Sequence, residues 1–210
     1  LCEVDEAARE GVVHRLEYKL FEPAFYATAI QDYGRSLYLA WLLGDNAKVL
    51  VDLGHHAHGA NVEQIIAHLV RQGKLGGFHF NDSFYADDDL ASGSIHPHQI
   101  FRIFVNLVEG EMRGYIPVND LALMIDQSHN VKDPFEELIE SVENIETAYA
   151  RSLLVDFNAL GKAQDALDAS MADRILMGAF NTDVRPILAA ARRSKGLPDD
   201  PLAAWREGKR

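Results

Sequence analysis

The sequence predicts an α/β fold in which parallel strands alternate with helices, followed by a helical extension. Three observations carry that expectation. Short apolar runs of strand character alternate with stretches whose apolar residues recur at helical spacing. The alternation stops after "SHNVKDP", beyond which helical periodicity fills most of the remaining length. Each strand run also has one greasy face and one face that ends in polar groups, as expected where helices cover one side of a sheet.

The elements follow in order. "LCEVDEAAREG" reads as the last turns of a helix already under way, so the chain is expected to begin inside a larger protein. The strand runs are "HRLEYKLFEP", "AKVLVDLGHH", "LGGFHFNDS" and "YIPVNDLALMIDQSH". Between them, "FYATAIQDYGRSLYLAWLLG", "ANVEQIIAHLVRQGKLGG" and "HPHQIFRIFVNLVEGEM" each carry a helical stripe and a glycine near the end. "FEELIESVENIETAYARSLLVDFNALGKAQDALDASMADRILMGAF" and "DVRPILAAARRSKG" form the helical tail, and "LPDDPLAAWREGKR" is expected to wrap a surface or a neighbouring subunit. Residues 1–133 are thus one expected unit and residues 134–210 a helical extension suited to oligomer contacts.

Composition narrows the chemistry. With 210 residues, 48% of them apolar, the chain can bury a sizeable core. Its formal charge of −12 disfavours nucleic acid and anionic lipid surfaces and suits neutral ligands or metal ions. The single cysteine, Cys2, makes no intrachain disulfide, and no run reaches the roughly 18 apolar residues of a membrane span. A cytoplasmic setting is the expectation.

Strand parity locates the candidate site. Val49 and Val51 oppose Leu50 and Asp52; Phe78 and Phe80 oppose His79 and Asn81; Leu123 and Ile125 oppose Met124, Asp126 and Ser128; Leu16, Tyr18 and Leu20 oppose Glu17 and Lys19. The polar members sit towards strand C-terminal ends, where parallel α/β folds build their sites. Singly, each has a plainer reading. Glu17 would be a cap or surface group, His79 a hydrogen-bonded core histidine, and "ADDDL" a solvated loop. Convergence changes the balance, because Glu17, Asp52, His79 and Asp126 cannot share a buried site without a cation to offset them. Oxygen-rich coordination with one imidazole favours Mn²⁺, with Mg²⁺, Co²⁺ or Zn²⁺ as alternatives. His55, three residues after Asp52, with Asp87 and Asp89 in the loop after His79, forms a second ligand set that Asp52 could bridge. Two metals roughly 4 Å apart could clamp adjacent substrate oxygens. Asp82 and Asp88 are expected to cap or be solvated, His56, His58, His96 and His98 to be solvent-exposed, His68 to pack or lie at the surface, and Trp41 to be core.

The strings "LEYKLFEPAFYATAIQDYG", "VLVDLGHHAHGANVEQIIAHL", "GKLGGFHFNDSFYADDDL" and "MIDQSHNVKDP" resemble the C-terminal half of the L-rhamnose isomerases, metal-dependent sugar isomerases related to xylose isomerase. The resemblance runs from about Val13 to Pro134 and more loosely through the tail. It implies the second half of a (β/α)8 TIM barrel, about four βα units, followed by a helical C-terminal extension. It implies that Glu17, Asp52, His79 and Asp126 bind the substrate-holding metal, and that His55, Asp87 and Asp89 bind a second, catalytic metal. Lys19 matches the lysine at the reacting end of the sugar. The implied activity is aldose–ketose isomerisation in carbohydrate catabolism, L-rhamnose to L-rhamnulose, with related aldoses as further substrates, in a cytoplasmic homotetramer. The N-terminal half of the barrel has no counterpart here and is expected to be needed, and Phe84 and His58 depart from the family pattern without touching a proposed ligand. The alternative is a metal-dependent phosphodiesterase or endonuclease on a related barrel, which the charge of −12 disfavours.

Overall fold

A computed structural model describes residues 12–20, 28–129 and 131–208. Cys2 and the expected N-terminal helix lie outside the described residues. The four predicted strand runs contain β1 (His14–Glu17), β2 (Ala47–Asp52), β3 (Leu75–Phe80) and β4 (Ala122–Ile125), which form one parallel sheet in the order β1-β2-β3-β4. The connections carry α1 (Tyr33–Leu43), α2 (Val62–Arg71) and α3 (Pro97–Met112), with a 3-10 turn at Val118–Asp120 before β4. This is the alternating arrangement that the sequence predicts.

Local chemistry sets the boundaries. β1 ends at Glu17 because Lys19 donates its backbone N–H to Ile30 across the loop, at 3.0 Å, instead of to β2. Thr28 donates its hydroxyl to the Lys19 carbonyl at 2.6 Å, folding the chain back over the end of β1. α1 begins later than its apolar stripe suggests, since the Asp32 side chain accepts from the Arg35 amide and caps the helix there. Asn61 caps α2 in the same way, and Asp82 receives the Ile95 and His96 amides just before α3.

The core lies between the sheet and its helices. Val49, Val51, Phe78 and Phe80 pack with Ile66, Leu69, Ile100, Phe101 and Phe104, all buried. Phe80 stacks on Phe78 at 5.0 Å and on Phe104 at 6.0 Å. Trp41, expected in this core, is instead 52% exposed with the Lys74 ammonium 4.7 Å over its ring. α1 presents its small residues Ser36 and Ala40 inward, and Ser36 donates to the Leu16 carbonyl at 2.8 Å, leaving no room for an indole beneath.

A shift in the ladder aligns the two central strands. Val49 pairs with Leu75 but Leu50 pairs with Gly77, so Gly76 is an extra residue on β3. Without that shift Asp52 would lie beside Phe78; with it, Asp52 lies beside His79 on the same face. Gly77 makes the close approach possible: its φ is 156° and a Cβ there would sit 2.2 Å from the Ala122 carbonyl oxygen of β4.

The tail is helical as expected but divided. α4 (Pro134–Ser152), α5 (Phe157–Asp165) and α6 (Ala169–Phe180) are separated where Asp156 and Asp168 cap the next helix, and α7 (Arg185–Ser194) and α8 (Pro201–Gly208) follow. α4 lies on α3 through Tyr149 and Phe104, 5.6 Å between rings. The C-terminal stretch packs on its own chain: Arg206 of α8 pairs with Glu136 at 2.8 Å and Trp205 meets Phe135 at 5.0 Å. Among the described residues no helix is long and apolar enough to cross a membrane.

Candidate metal centre

The polar strand ends converge on one imidazole. His79 Nδ1 lies 3.0 Å from Glu17 Oε1, 3.3 Å from Asp126 Oδ2 and 3.5 Å from Asp52 Oδ2. Three carboxylates from three strands therefore face a ring from the fourth. Glu17 and Asp52 end β1 and β2, while Asp126 follows β4, its amide held by the Phe80 carbonyl at 3.0 Å. Asp52 is buried and Asp126 exposed.

His55 adds a second imidazole from the turn after β2. Its Nδ1 is 3.1 Å from the Tyr18 carbonyl oxygen and 3.4 Å from Glu17 Oε1; its Nε2 is 3.4 Å from Asp87 Oδ1 and 3.8 Å from Asp52 Oδ2. In the tautomer that donates Nδ1–H to the Tyr18 carbonyl, Nε2 is an acceptor facing acceptor oxygens. That pairing is repulsive unless a proton or a metal ion lies between them. Lys19 supplies one positive charge from the side, its ammonium 2.6 Å from Asp87 Oδ2.

Asp89 stands on the wall of the same cleft. Its φ of 50° is in the left-handed region, which aspartate tolerates better than most residues, and its carbonyl accepts the Ser128 amide at 2.8 Å. Burial first, then the charges of Asp87, Asp52 and Asp126, push its carboxyl up to about 6, with Lys19 opposing. Asp52 is pushed up chiefly by burial, while the His55 charge and hydrogen bonds from Asn81 and Gly54 pull the other way. Both shifts are set first by burial, and at Asp89 the neighbouring carboxylates add to it.

A divalent cation fits these residues. Asp52 Oδ2 and Asp87 Oδ1 are buried atoms that receive no hydrogen bond among the described residues. One donor atom each from Glu17, Asp52 and His55 lies within 4.8 Å of the others, and the same holds for Asp52, His79 and Asp126. The two groups share Asp52. The grouping differs from the expected one in that Glu17 Oε1 lies 3.4 Å from His55 as well as 3.0 Å from His79. Neither Asp87 nor Asp89 belongs to either triad, although Asp87 Oδ1 lies 3.4 Å from His55 Nε2. Glu17, Lys19, His55, Asp87, Asp89 and Asp126 line an open cleft of about 610 Å³ above them.

Four neighbours of the centre carry no role in the sequence reading. Asn81 and the Gly54 amide both donate to Asp52 Oδ1, each at 2.8 Å. Tyr18 is buried and its hydroxyl lies 2.7 Å from His56 Nε2, so His56 is half-buried and not the expected exposed histidine. Burial lowers the His56 imidazole to about 4 and raises the Tyr18 phenol. His98 is likewise half-buried, edge-on to Phe180 at 4.9 Å. His58 and His96 are exposed, although His96 pairs with the buried Asp82 at 2.8 Å, and His68 lies at the surface. Asp88 caps its own loop, accepting the Phe84 and Tyr85 amides. Asn81 shares strand parity with His79, a signal that was available in the sequence; the Tyr18–His56 pair spans two loops and left no such signal.

The fold and centre together define a parallel α/β protein with a carboxylate and imidazole cluster at its strand ends whose geometry could hold a metal ion. No family model matches the chain. Over 190 residues it is 52% identical to a probable sugar isomerase of Mesorhizobium japonicum, and over 193 residues 50% identical to a probable sugar isomerase of Rhizobium meliloti. Each comparison covers 90% of this chain and 44% of the relative, so the chain spans less than half the length of these curated relatives.

Proposed function

We propose that this chain carries the metal-binding half of an aldose–ketose isomerase whose substrate is L-rhamnose, with related aldoses also accepted. The observation that carries the reading is Asp52. Its buried Oδ2 has no donor among the described residues and faces two imidazoles, within a cluster shared by two ligand triads. The two similar proteins named as probable sugar isomerases give that chemistry its substrate class. Glu17, Asp52, His79 and Asp126 would hold one divalent ion, Mn²⁺ by the balance of oxygen and nitrogen donors, and His55, Asp87 and Asp89 a second, with Asp52 between. Such ions supply Lewis-acid polarisation of adjacent sugar oxygens.

The side chains do the rest. In the isomerisation the hydrogen on C2 is transferred to C1, and the hydroxyl proton of O2 is delivered to O1. Lys19 projects into the cleft beside Asp87 and would donate a hydrogen bond to the oxygen on C1 as negative charge develops there. Asp87 and Asp89 flank the same space and are placed to carry the proton between the two oxygens. Tyr18 and Ile30 close the cleft on the β1 side. We further propose that the sheet is half of an eight-stranded barrel, that residues beyond this chain supply the rest, and that the assembled enzyme is a cytoplasmic homotetramer. β1 and β4 each pair on one side only among the described residues, which supports the barrel.

The test is direct. The full-length protein, stripped with chelator and reloaded with Mn²⁺, should convert L-rhamnose to a ketose, and the stripped protein should not. A folded protein with metal bound that forms no ketose from L-rhamnose or related aldoses would end this proposal.

A further inference from the structure

We infer that Asn81 is a positioning residue that orients Asp52, fixing the plane of its carboxylate so that one oxygen faces the shared metal-binding cluster. The inference rests on the metal-dependent reading above and assigns a role to a residue outside every ligand set. Asn81 is 1% exposed and lies two residues beyond His79, on the same side of the chain by strand alternation. Its Nδ2 donates to Asp52 Oδ1 at 2.8 Å, and the Gly54 amide donates to the same oxygen at 2.8 Å. Asp52 Oδ1 therefore accepts twice, while Oδ2 accepts from no described residue and faces His55 Nε2 at 3.8 Å and His79 Nδ1 at 3.5 Å.

The orientation of the amide follows from charge. Turned over, it would set its carbonyl oxygen against a carboxylate oxygen, acceptor against acceptor. In the orientation present, Asn81 Oδ1 is itself buried with no partner among the described residues, so half of the side chain's hydrogen-bonding capacity is unused. A leucine, similar in branching though bulkier, would fill the space without leaving a buried carbonyl unpaired. What an amide adds is direction. Gly54 completes the clamp: a Cβ there would lie 3.1 Å from Asp87 Oδ1, 3.2 Å from Asn81 Oδ1 and 3.4 Å from Asp52 Oδ1, so its bare backbone lets three polar side chains meet. With both donors in place the Asp52 carboxylate cannot turn without breaking two hydrogen bonds, and Oδ2 stays aimed at the imidazoles.

The experiment compares the full-length wild type with Asn81→Leu, using titration with Mn²⁺ and the visible absorption spectrum after loading with Co²⁺. Removing a group that orients a ligand typically weakens metal affinity about 10–100-fold. That loss is expected here, with an altered Co²⁺ spectrum and an unchanged circular dichroism spectrum. Asn106→Leu is the control for a merely structural amide, since Asn106 joins α3 to the Glu63 carbonyl away from the centre; it should leave affinity and spectrum as in the wild type. Wild-type affinity and spectrum in Asn81→Leu would overturn the inference while leaving the isomerase proposal intact. A wild type that binds no Mn²⁺ would overturn both. Should Asn81→Leu fail to fold, Asn81→Ser carries the same expectation, and failure of both to fold would assign Asn81 to the scaffold and refute the positioning role.

Discussion

Asp52 is nearly inaccessible, yet it ends a strand among His55, His79 and Glu17, and its charge is disfavoured by burial. Replacing it with asparagine should abolish Mn²⁺ binding at both proposed positions, which metal analysis of the purified variant will read; full metal content would refute the shared role. Lys19→Ala separates binding from turnover. Metal content should stay at wild-type level while kcat falls about 10²–10³-fold, as on loss of one donor to a developing oxyanion. Asp89 gives a pH signature in chelator-treated protein. Its native carboxyl, up at about 6, keeps a proton that the unfolded chain has lost above the ordinary 3.8. Its contribution to stability is therefore fully present below about 3.8 and is lost as pH rises through about 6. Asp89→Asn should match the wild type at the acid end and exceed its melting temperature above about 6. The comparison between variants cancels His56, whose depressed imidazole acts with the opposite sign. Strand parity made Glu17, Asp52, His79 and Asp126 legible, because each lies at or just beyond a strand end. Asn81, Tyr18 and His56 were not legible in role, since what they do depends on which atom meets which across separate loops.

At the level of elements, the decisive feature is the extra residue on β3. The dipeptide Gly76-Gly77 inside a strand run is a bulge signal, but the sequence alone does not say which strand yields or by how much. The ladder does: the shift falls between Val49 and Leu50 and brings Asp52 level with His79. Gly77→Ala should therefore act twice. Its Cβ collides with the Ala122 carbonyl oxygen at 2.2 Å, and overpacking of this kind costs about 1–3 kcal/mol, with the positive φ adding to it. Loss of stability in denaturant titration should come with weakened Mn²⁺ binding, because β4 carries Asp126 away as it gives way. A variant that loses stability but keeps its Mn²⁺ affinity would show that the register of β4 does not set the centre. The tail divides for a reason that the sequence does contain: Asp156 and Asp168 cap α5 and α6, but within a long helical stripe an aspartate reads equally well as a surface residue.

At the level of the molecule, the two outer strands stand out. Val12 and Val13 next to β1, and Leu123 and Met124 in β4, are 38–47% exposed, whereas Val49 and Val51 of β2 and Phe78 and Phe80 of β3 are buried. Among the described residues β1 and β4 each have a backbone edge without a neighbouring strand, and such edges template pairing with other chains. If the sheet is half of a barrel, those edges are covered in the full-length protein and bare in the 210-residue span expressed alone. The isolated span should then self-associate with rising concentration in sedimentation velocity, despite a charge of −12 that opposes association. Val13→Lys with Leu123→Lys should reduce that association, because a charged edge resists strand addition. The same pair of substitutions in the full-length protein should instead destabilise it, since the lysines would then be forced into a closed strand interface. A span that stays monomeric at high concentration, or a full-length protein indifferent to both lysines, would argue that the sheet ends where β1 and β4 end and that the relatives' additional length folds elsewhere.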